Sequence, residues 1–264
     1  MNAIERHLIH PTAIVSASAD LPGDVSIGAF SIVYANVHLG TGCVVGPYCS
    51  LGEPLADYYA AAEYVNPSLE IGEGALIRSG TILYAGSAIG DHFETGHRAI
   101  VREETEIGHH VRIGINADIQ GYCRIGDYVR MHSGVHVGQY SQVGNFVWLF
   151  PFCVLTNDPH PPSDFISGVQ IEDFSVIGAK AVLMPGIRVG RQAVIGAGAV
   201  VYHDVLPESV MAGHPARKIA TFDQIKNRAT GEPAYPWPEH FERGMPWQGI
   251  GFETWDKLRR DGCV

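Results

Sequence analysis

A six-residue repeat governs the chain between Ile71 and Leu155. In this stretch every sixth residue is aliphatic or nearly so, and only Thr95 departs clearly from the rule. The repeat positions, called anchors here, are Ile71, Ile77, Leu83, Ile89, Thr95, Val101, Ile107, Ile113, Ile119, Ile125, Met131, Val137, Val143, Leu149 and Leu155. A repeat of fixed length has to be interpreted before any other signal, because it dictates the architecture.

Each repeat unit has the pattern of a very short strand followed by a corner. The residue two places before each anchor is also small or apolar, as at Ala75, Val111 and Cys123, and a glycine often follows the anchor, as at Gly72 and Gly114. Apolar residues at alternate positions predict a strand with one inward face, and glycine tolerates the backbone angles of a corner. With three strands per turn, the pattern predicts an all-β coil of about ten stacked turns.

The repeat begins at Ile9 and slips twice, which predicts two protruding loops at residues 53–68 and 156–170. The first loop carries Tyr58, and the second presents Asp158 and His160 between prolines. The coil is therefore expected to span residues 1–221. An extension over residues 222–264 follows, in which we expect two short helices near 222–227 and 252–260.

Composition excludes several classes of protein. The formal net charge is −10, whereas a nucleic-acid-binding protein is usually basic. No run of about 18 apolar residues predicts a membrane span, and the first residues lack the pattern of a secretory signal. Four of the five cysteines fall at inward positions of the repeat, as expected of buried small residues in a reducing cytoplasm.

The end of the coil resembles a known family. The run from Ile177 to Ile219, IGAKAVLMPGIRVGRQAVIGAGAVVYHDVLPESVMAGHPARKI, is similar to the closing signature of hexapeptide-repeat acyltransferases. Those enzymes are left-handed parallel β-helices that act as trimers. The resemblance therefore implies a left-handed coil and a homotrimer with active sites between two coils.

Within this family the chain is most similar to the nucleotide-sugar N-acyltransferases. The residues that carry this similarity are IRSGTILYAGSAIGDHFETGHRAIVREETEIG and LTNDPHPPS. The resemblance implies transfer of an acyl group, as acetyl, from acyl-CoA to the amine of a dTDP- or UDP-linked amino-deoxysugar, for surface polysaccharide. The opening IHPTAIVSASADLPGDVSIGAFSIV also resembles the UDP-sugar O-acyltransferases of lipid A synthesis, which remains an alternative.

The resemblance also places a catalytic site. Matching polar positions are His132, Ser133, Asn157, Asp158 and His160. The attacking amine must lose a proton, and an imidazole can accept it. We expect His132 to be the base or to orient the amine, Asp158 to fix its ring, and Asn157 to hold the sugar or the thioester carbonyl.

A local collection of arginines suggests a site for the nucleotide. Guanidinium groups bind phosphate in a bidentate manner, and aromatic rings can stack on a base. The substrate-binding candidates are Arg78, His97, Arg98, Arg102, Ser133 and Tyr58. The alternative for the arginines is ion pairing with Glu94, Glu103 and Glu104, and for Tyr58 packing against the coil.

The resemblance places coenzyme A late in the coil. Basic residues would bind its phosphates, and backbone beside small residues would bind the pantetheine arm. The cofactor candidates are Lys180, Ala181, Gly196, Ala199, Arg217 and Lys218. His214 stands where relatives often carry asparagine, so the contact at that position is left open.

Two rival functions use the same coil. The γ-class carbonic anhydrases bind zinc through three histidines across a subunit boundary, and His109, His110, His132 and His136 are the nearest candidates here. They form no clear set of three, so no metal is expected. A non-catalytic scaffold would gain nothing from two loops rich in histidine, aspartate and tyrosine.

Overall fold

The chain forms a parallel β-helix, as the repeat predicts. The computed structural model describes residues 8–61 and 63–262; the first seven residues and Cys263 lie outside the described part. The coil has about 11 turns, one more than expected, because strand pairing also continues at both of its ends. In the described part no helix is long and apolar enough to cross a membrane.

The strands are short and evenly spaced. In chain order they are β1 (Ile14–Val15), β2 (Ser26–Ile27), β3 (Ile32–Val33), β4 (Val37–Leu39), β5 (Val44–Val45), β6 (Ser50–Glu53), β7 (Leu69–Ile71), β8 (Leu76–Ile77), β9 (Ile82–Tyr84), β10 (Ala88–Ile89), β11 (Glu94–Thr95), β12 (Ile100–Val101), β13 (Glu106–Ile107), β14 (Arg112–Ile113), β15 (Asp118–Ile119), β16 (Arg124–Ile125), β17 (Arg130–Met131), β18 (His136–Val137), β19 (Gln142–Val143), β20 (Trp148–Leu149), β21 (Val154–Leu155), β22 (Gln170–Ile171), β23 (Val176–Ile177), β24 (Val182–Leu183), β25 (Arg188–Val189), β26 (Val194–Ile195), β27 (Val200–Val201), β28 (Ser209–Ala212) and β29 (Arg217–Thr221).

The strands form three sheets, the faces of a prism. Face I is β1-β3-β6-β9-β12-β15-β18-β21-β24-β27, and face II is β4-β7-β10-β13-β16-β19-β22-β25. Face III is β2-β5-β8-β11-β14-β17-β20-β23-β26-β28-β29, in which only β29 is antiparallel to its neighbour. Successive strands of one face are usually 18 residues apart, so residues one turn apart lie side by side.

The anchors and the small residues before them fill the interior. Val101, Ile119 and Leu155 are fully buried, and each such side chain contributes about 1.5–3 kcal/mol relative to exposure. Thr95 is also buried, because its hydroxyl oxygen accepts a hydrogen bond from Arg78 N at 2.8 Å and lies 3.0 Å from Thr81 Oγ1. A buried polar group is tolerated when it is hydrogen-bonded in this way.

The inward cysteines behave as predicted. Cys43, Cys49, Cys123 and Cys153 are buried free thiols. Burial raises the pKa of Cys123 to about 11 and that of Cys153 to about 12. These thiols are therefore packing residues, since the thiolate is the reactive form of cysteine.

The glycines after the anchors have a different role from the one predicted. The left-handed backbone at the corners falls two residues later, at residues with side chains such as His110 and Asn116 or at other glycines such as Gly74. Gly114 is needed for close approach, because a Cβ there would lie 2.3 Å from the carbonyl carbon of His132 on the next turn. The glycine therefore lets successive turns stack.

The prism has three edges that position the polar residues. We call the turns from face I to face II, such as residues 102–105, the loop edge. The turns from face II to face III, such as residues 108–111, are the tail edge. The turns from face III to face I, such as residues 96–99, are the arginine edge. Both long loops interrupt the loop edge, after β6 and after β21, and the first contains a 3₁₀ helix, Ala56–Tyr59.

The extension packs on the tail edge. After the 3₁₀ helices Phe222–Gln224 and Trp237–Glu239, helix α1 spans Phe252–Arg260, as predicted. Trp237, Trp247 and Trp255 are buried against Phe146 and Phe174 of the tail edge. The indole of Trp237 donates a hydrogen bond to the Phe174 carbonyl at 2.9 Å.

Candidate functional site

A histidine–aspartate pair stands on the outer side of face I. Asp118 in β15 lies beside His136 in β18, one turn later. His136 Nδ1 and Asp118 Oδ2 are 3.0 Å apart. The amide of Gln120 donates to both carboxylate oxygens of Asp118 at 2.9 Å.

This geometry favours one tautomer of the neutral imidazole. A carboxylate only accepts hydrogen bonds, so His136 carries its proton on Nδ1 and its Nε2 is left as the basic nitrogen. The hydrogen bond from His136 is the main reason that the pKa of Asp118 is lowered, so Asp118 is ionised at neutral pH. Both side chains remain about a third exposed, which leaves Nε2 open to a substrate.

The second loop begins beside this pair. Gly138 follows β18, and a Cβ on it would lie 3.1 Å from Asn157 Cβ. Asn157 therefore lies against Gly138, two residues after His136. Its carbonyl accepts a hydrogen bond from Ser167 N at 2.7 Å, which closes the base of the loop.

Asp158 is held by its own loop and does not meet His132. Its carboxylate accepts hydrogen bonds from the amides of His160 and Ser163 and from the Ser163 hydroxyl, all within 2.9 Å. The Ser163 hydroxyl is the largest cause of the lowered pKa of Asp158. The expected pairing of Asp158 with His132 is therefore wrong within one chain, because the two residues lie on different edges of the prism.

His132 lies on the arginine edge among aromatic rings. Its ring is stacked on Phe150 at 4.8 Å between centroids and lies 6.2 Å from the Trp148 ring. Burial lowers the pKa of His132, so it is neutral at neutral pH. In the described part of the chain no side chain is hydrogen-bonded to this imidazole, whereas His136 has Asp118.

The arginine edge holds most of the predicted phosphate contacts. His97 Nδ1 lies 2.7 Å from the Ser79 hydroxyl. Arg98 Nε donates a hydrogen bond to Asn116 Oδ1 at 3.0 Å. Arg98 is thus bonded to a residue that precedes Asp118 by two positions. Among the described residues neither Arg98 nor Arg78 pairs with a carboxylate, so both positive charges are available to an anion.

Arg102 and Tyr58 are on the loop edge and are already engaged. Arg102 donates two hydrogen bonds to Glu103, at 2.7 and 3.0 Å, which raise its pKa, and it also lies over the Tyr84 ring. For Arg102 the ion-pair alternative is therefore correct. The Tyr58 ring makes edge contacts with Tyr34 and Tyr64, although Tyr58 remains 47% exposed.

The basic cofactor candidates gather at the last turns of the coil. Arg217 and Lys218 lie on β29, which pairs with β28, and Lys180 lies on the arginine edge two turns earlier. All three are exposed. Residues 213–216 form the turn between β28 and β29, and His214 Nε2 lies 3.1 Å from the Tyr202 hydroxyl.

Two of the predicted pantetheine contacts are wrong. Ala181 and Ala199 point inward and are fully buried. Their carbonyl oxygens accept from Val154 N and Val182 N at 2.9 and 2.8 Å, and their amides donate to Gly178 and Gly196. The Gly196 amide also donates a hydrogen bond to the Met211 carbonyl on the next turn.

The histidines of the metal alternative are dispersed. His109 and His110 lie on the tail edge, His132 on the arginine edge and His136 on face I. Among the described residues no group of three His, Cys, Asp or Glu side chains is arranged to hold a metal ion.

The pairing of His136 with Asp118 was missed from sequence, although a signal was present. The two residues are 18 positions apart, and both immediately precede an anchor. Residues that immediately precede an anchor point outward, and three hexads complete one turn. Searching the outward positions for acid–base pairs at this separation would have found them.

Comparison with known proteins supports the repeat assignment. Residues 104–139 and 168–203 match the family described as bacterial transferase hexapeptide (six repeats). The match covers β13–β18 and β22–β27. It therefore includes both members of the His136–Asp118 pair.

Similar curated and solved proteins cover parts of the chain. A 2,3,4,5-tetrahydropyridine-2,6-dicarboxylate N-acetyltransferase of Staphylococcus aureus is 43% identical over 74 residues, 28% of this chain; the chain spans only 30% of its length. A UDP-N-acetylglucosamine O-acyltransferase from Moraxella catarrhalis is 19% identical with a TM-score of 0.46, covering 96% of this chain and 82% of that one. Serine acetyltransferase from Neisseria gonorrhoeae is 29% identical with a TM-score of 0.29, over 40% and 39% of the two chains.

Proposed function

We propose that this chain, which matches the bacterial transferase hexapeptide family over residues 104–139 and 168–203, is an acyl-CoA-dependent N-acyltransferase. Its substrate is the amino group of a dTDP- or UDP-linked amino-deoxysugar, in the biosynthesis of a surface polysaccharide. The observation that carries the proposal is the His136–Asp118 pair, exposed on the face between the arginine edge and the loop edge. The N-acetyltransferase activity named for the Staphylococcus relative agrees with an amine acceptor.

The pair supplies the proton transfer that amide formation needs. The amine nitrogen attacks the thioester carbonyl carbon, His136 Nε2 accepts the proton that the amine loses, and the C–S bond breaks. The same proton then passes to the departing thiolate, which gives coenzyme A and the amide. Asp118 keeps the imidazole oriented and stabilises its charged form.

The arginine edge provides the site for the nucleotide. Arg78 and Arg98 face solvent without a carboxylate partner among the described residues, and a pyrophosphate would bind such guanidinium groups. His97 and Ser133 lie on the same edge, and Asn157 stands on the other side of the pair. The sugar amine would thus reach His136 from a pyrophosphate held one or two turns away.

The acyl donor approaches from the last turns. Between β18 and β27 face I presents half-buried Val154, Val182 and Val200 on its outer side. Three strand spacings, about 14 Å, separate His136 from β27. Pantetheine lying along this apolar strip would place the thioester at His136 and the phosphates near Lys180, Arg217 and Lys218.

Assembly and location complete the proposal. We expect a homotrimer, as in the enzymes that the sequence resembles, with each site between two coils. We also expect the protein in the cytoplasm, where acyl-CoA and nucleotide sugars are made.

The test is a thiol-release assay with acetyl-CoA and a panel of dTDP- and UDP-amino sugars. One amino sugar should release coenzyme A, and its hydroxyl analogue should not. In His136→Ala the kcat should fall about 10²–10⁴-fold with an unchanged far-UV circular dichroism spectrum. Arg217→Ala should raise the KM for acetyl-CoA more than the KM for the sugar.

His132→Ala is the matched control, since it removes a histidine from a neighbouring edge. It should keep most of the turnover. If His132→Ala abolishes turnover and His136→Ala does not, the sequence-based choice of base was right. If no amino sugar in the panel releases thiol, the substrate class is wrong.

A further inference from the structure

A cavity lies away from face I, between the tail edge and the extension. It has a volume of about 410 Å³, within the range of small-molecule sites. Its wall on the coil side consists of His92, His110 and Tyr128, whose rings are stacked at 4.6 Å between neighbouring centroids. Gly244 and Met245 of the extension close the other side.

A buried arginine at this cavity lacks a counter-ion. Arg130 is only 8% exposed, and its guanidinium donates to two neutral acceptors, His110 O and Gly244 O. Within the described residues no carboxylate pairs with it. Burial, followed by repulsion from Arg112, lowers the pKa of Arg130 to about 10. A buried charge without a partner is costly, which points to a missing anion.

The other charged groups at the cavity leave a net positive charge. Arg112 Nε lies 3.1 Å from Glu94 Oε2 in an ion pair, so these two residues neutralise each other. Arg130 is therefore the charge left without a carboxylate partner among the arginines and the glutamate that line the cavity. This is notable in a chain with a formal net charge of −10.

We propose that this cavity binds a small organic anion through Arg130 and Arg112. The carboxylate or phosphate of the ligand would pair with the guanidinium groups, which match the geometry of either anion. A flat or apolar body would lie against the stacked rings and Met245. The site joins the extension to the coil and is separate from the His136–Asp118 pair, so it does not depend on the proposed transferase activity.

Calorimetric titration at constant ionic strength tests the site with benzoate, phenyl phosphate and inorganic phosphate. We expect saturable binding of one benzoate or phenyl phosphate per chain. The ligand that binds with the higher affinity identifies the anionic group that the site prefers. Neutral benzamide should not bind. Arg112→Gln should weaken binding about tenfold or more, since it removes a charged donor. Glu94→Gln should strengthen it, because Arg112 is then free for the ligand.

Arg124→Gln is the matched control. Arg124 pairs with Glu106 on face II in the same way that Arg112 pairs with Glu94, but it does not line this cavity. This variant should bind like the wild type. The ring resonances of His92 and His110 should move on titration, which locates the ligand. Absence of saturable binding to the wild type, or equal affinity in Arg112→Gln and wild type, would overturn the proposal.

Discussion

At the scale of the residue, stacking of turns depends on positions where no Cβ fits. Gly114 lies so close to the backbone of His132 that a methyl group does not fit between them. We predict that Gly114→Ala lowers the free energy of unfolding by about 1–3 kcal/mol, the usual cost of overpacking. The midpoint of urea denaturation measures this loss of stability.

Gly23→Ala is the control for this prediction. A Cβ at Gly23 has no neighbour within 4 Å, and the residue is not among those with a left-handed backbone. The Gly23→Ala substitution should leave the free energy of unfolding unchanged or raise it slightly. Equal loss of stability in both variants would mean that chain flexibility, and not close approach, explains the glycines.

The half-buried histidines His110 and His132 predict a dependence of stability on pH. Burial is the main cause that lowers the pKa of His110, followed by the neighbouring His92, and burial lowers the pKa of His132. The folded protein therefore binds fewer protons than the unfolded chain, whose histidines titrate near about 6.5. The stabilisation is complete above that pH and is lost as the pH falls through the lower pKa of the folded state.

We therefore expect the urea midpoint to be lower at pH 5.5 than at pH 7.5. His110→Gln should show a smaller fall, because its side chain does not titrate. Denaturation curves at several pH values measure both slopes. Identical slopes would show that His110 does not contribute.

At the scale of the element, the extension is held by one aromatic cluster. Trp247 is fully buried and contacts Phe146 of the tail edge and Trp255 of α1, with ring centroids 5.3 and 5.2 Å apart. We predict that Trp247→Ala costs about 3–5 kcal/mol and releases the extension from the coil. Limited proteolysis should then remove the extension, while the β-rich circular dichroism spectrum of the coil persists.

Ile250→Ala is the matched variant in the same segment. Ile250 is 47% exposed, so little packing is lost. Its extension should resist proteolysis like that of the wild type. If Trp247→Ala is equally resistant, other contacts hold the extension.

The elements were predictable from sequence where a local pattern sets them. The spacing of anchors gave the strands, the two slips gave the loops, and the α1 boundaries followed from the tail sequence. The contact between Trp237 and Phe174 could not be predicted, because it joins distant segments that share no periodicity. The pairing of His132 with Asp158 could not be judged from sequence either, because the repeat alone does not show that Asp158 is held by Ser163 of its own loop.

At the scale of the whole molecule, one turn of 18 residues is the structural unit. We predict that deleting residues 88–105 removes one turn and keeps both loops on the loop edge. Deleting residues 88–93 keeps the inward pattern but moves every later strand to another face. The second loop would then leave the loop edge.

Spin labels at positions 59 and 165 distinguish these outcomes, since both residues are exposed at the loops. The 18-residue deletion should shorten the distance between the labels by about 5 Å, one strand spacing. The six-residue deletion moves the second loop off the loop edge, so it should change the distance between the labels by a different amount. It should also lower the urea midpoint. An unchanged distance after the 18-residue deletion would contradict a coil with three strands per turn.

The reversal of direction at β29 limits how far the column can grow. A stack of identical parallel turns exposes unpaired amides and carbonyls at each end, where another copy could add. Because β29 runs antiparallel to β28, face III ends in a hydrogen-bonding pattern that differs from that of the parallel strands before it. The hairpin that carries Arg217 therefore makes this end of face III a poorer match for the first turn of a second copy.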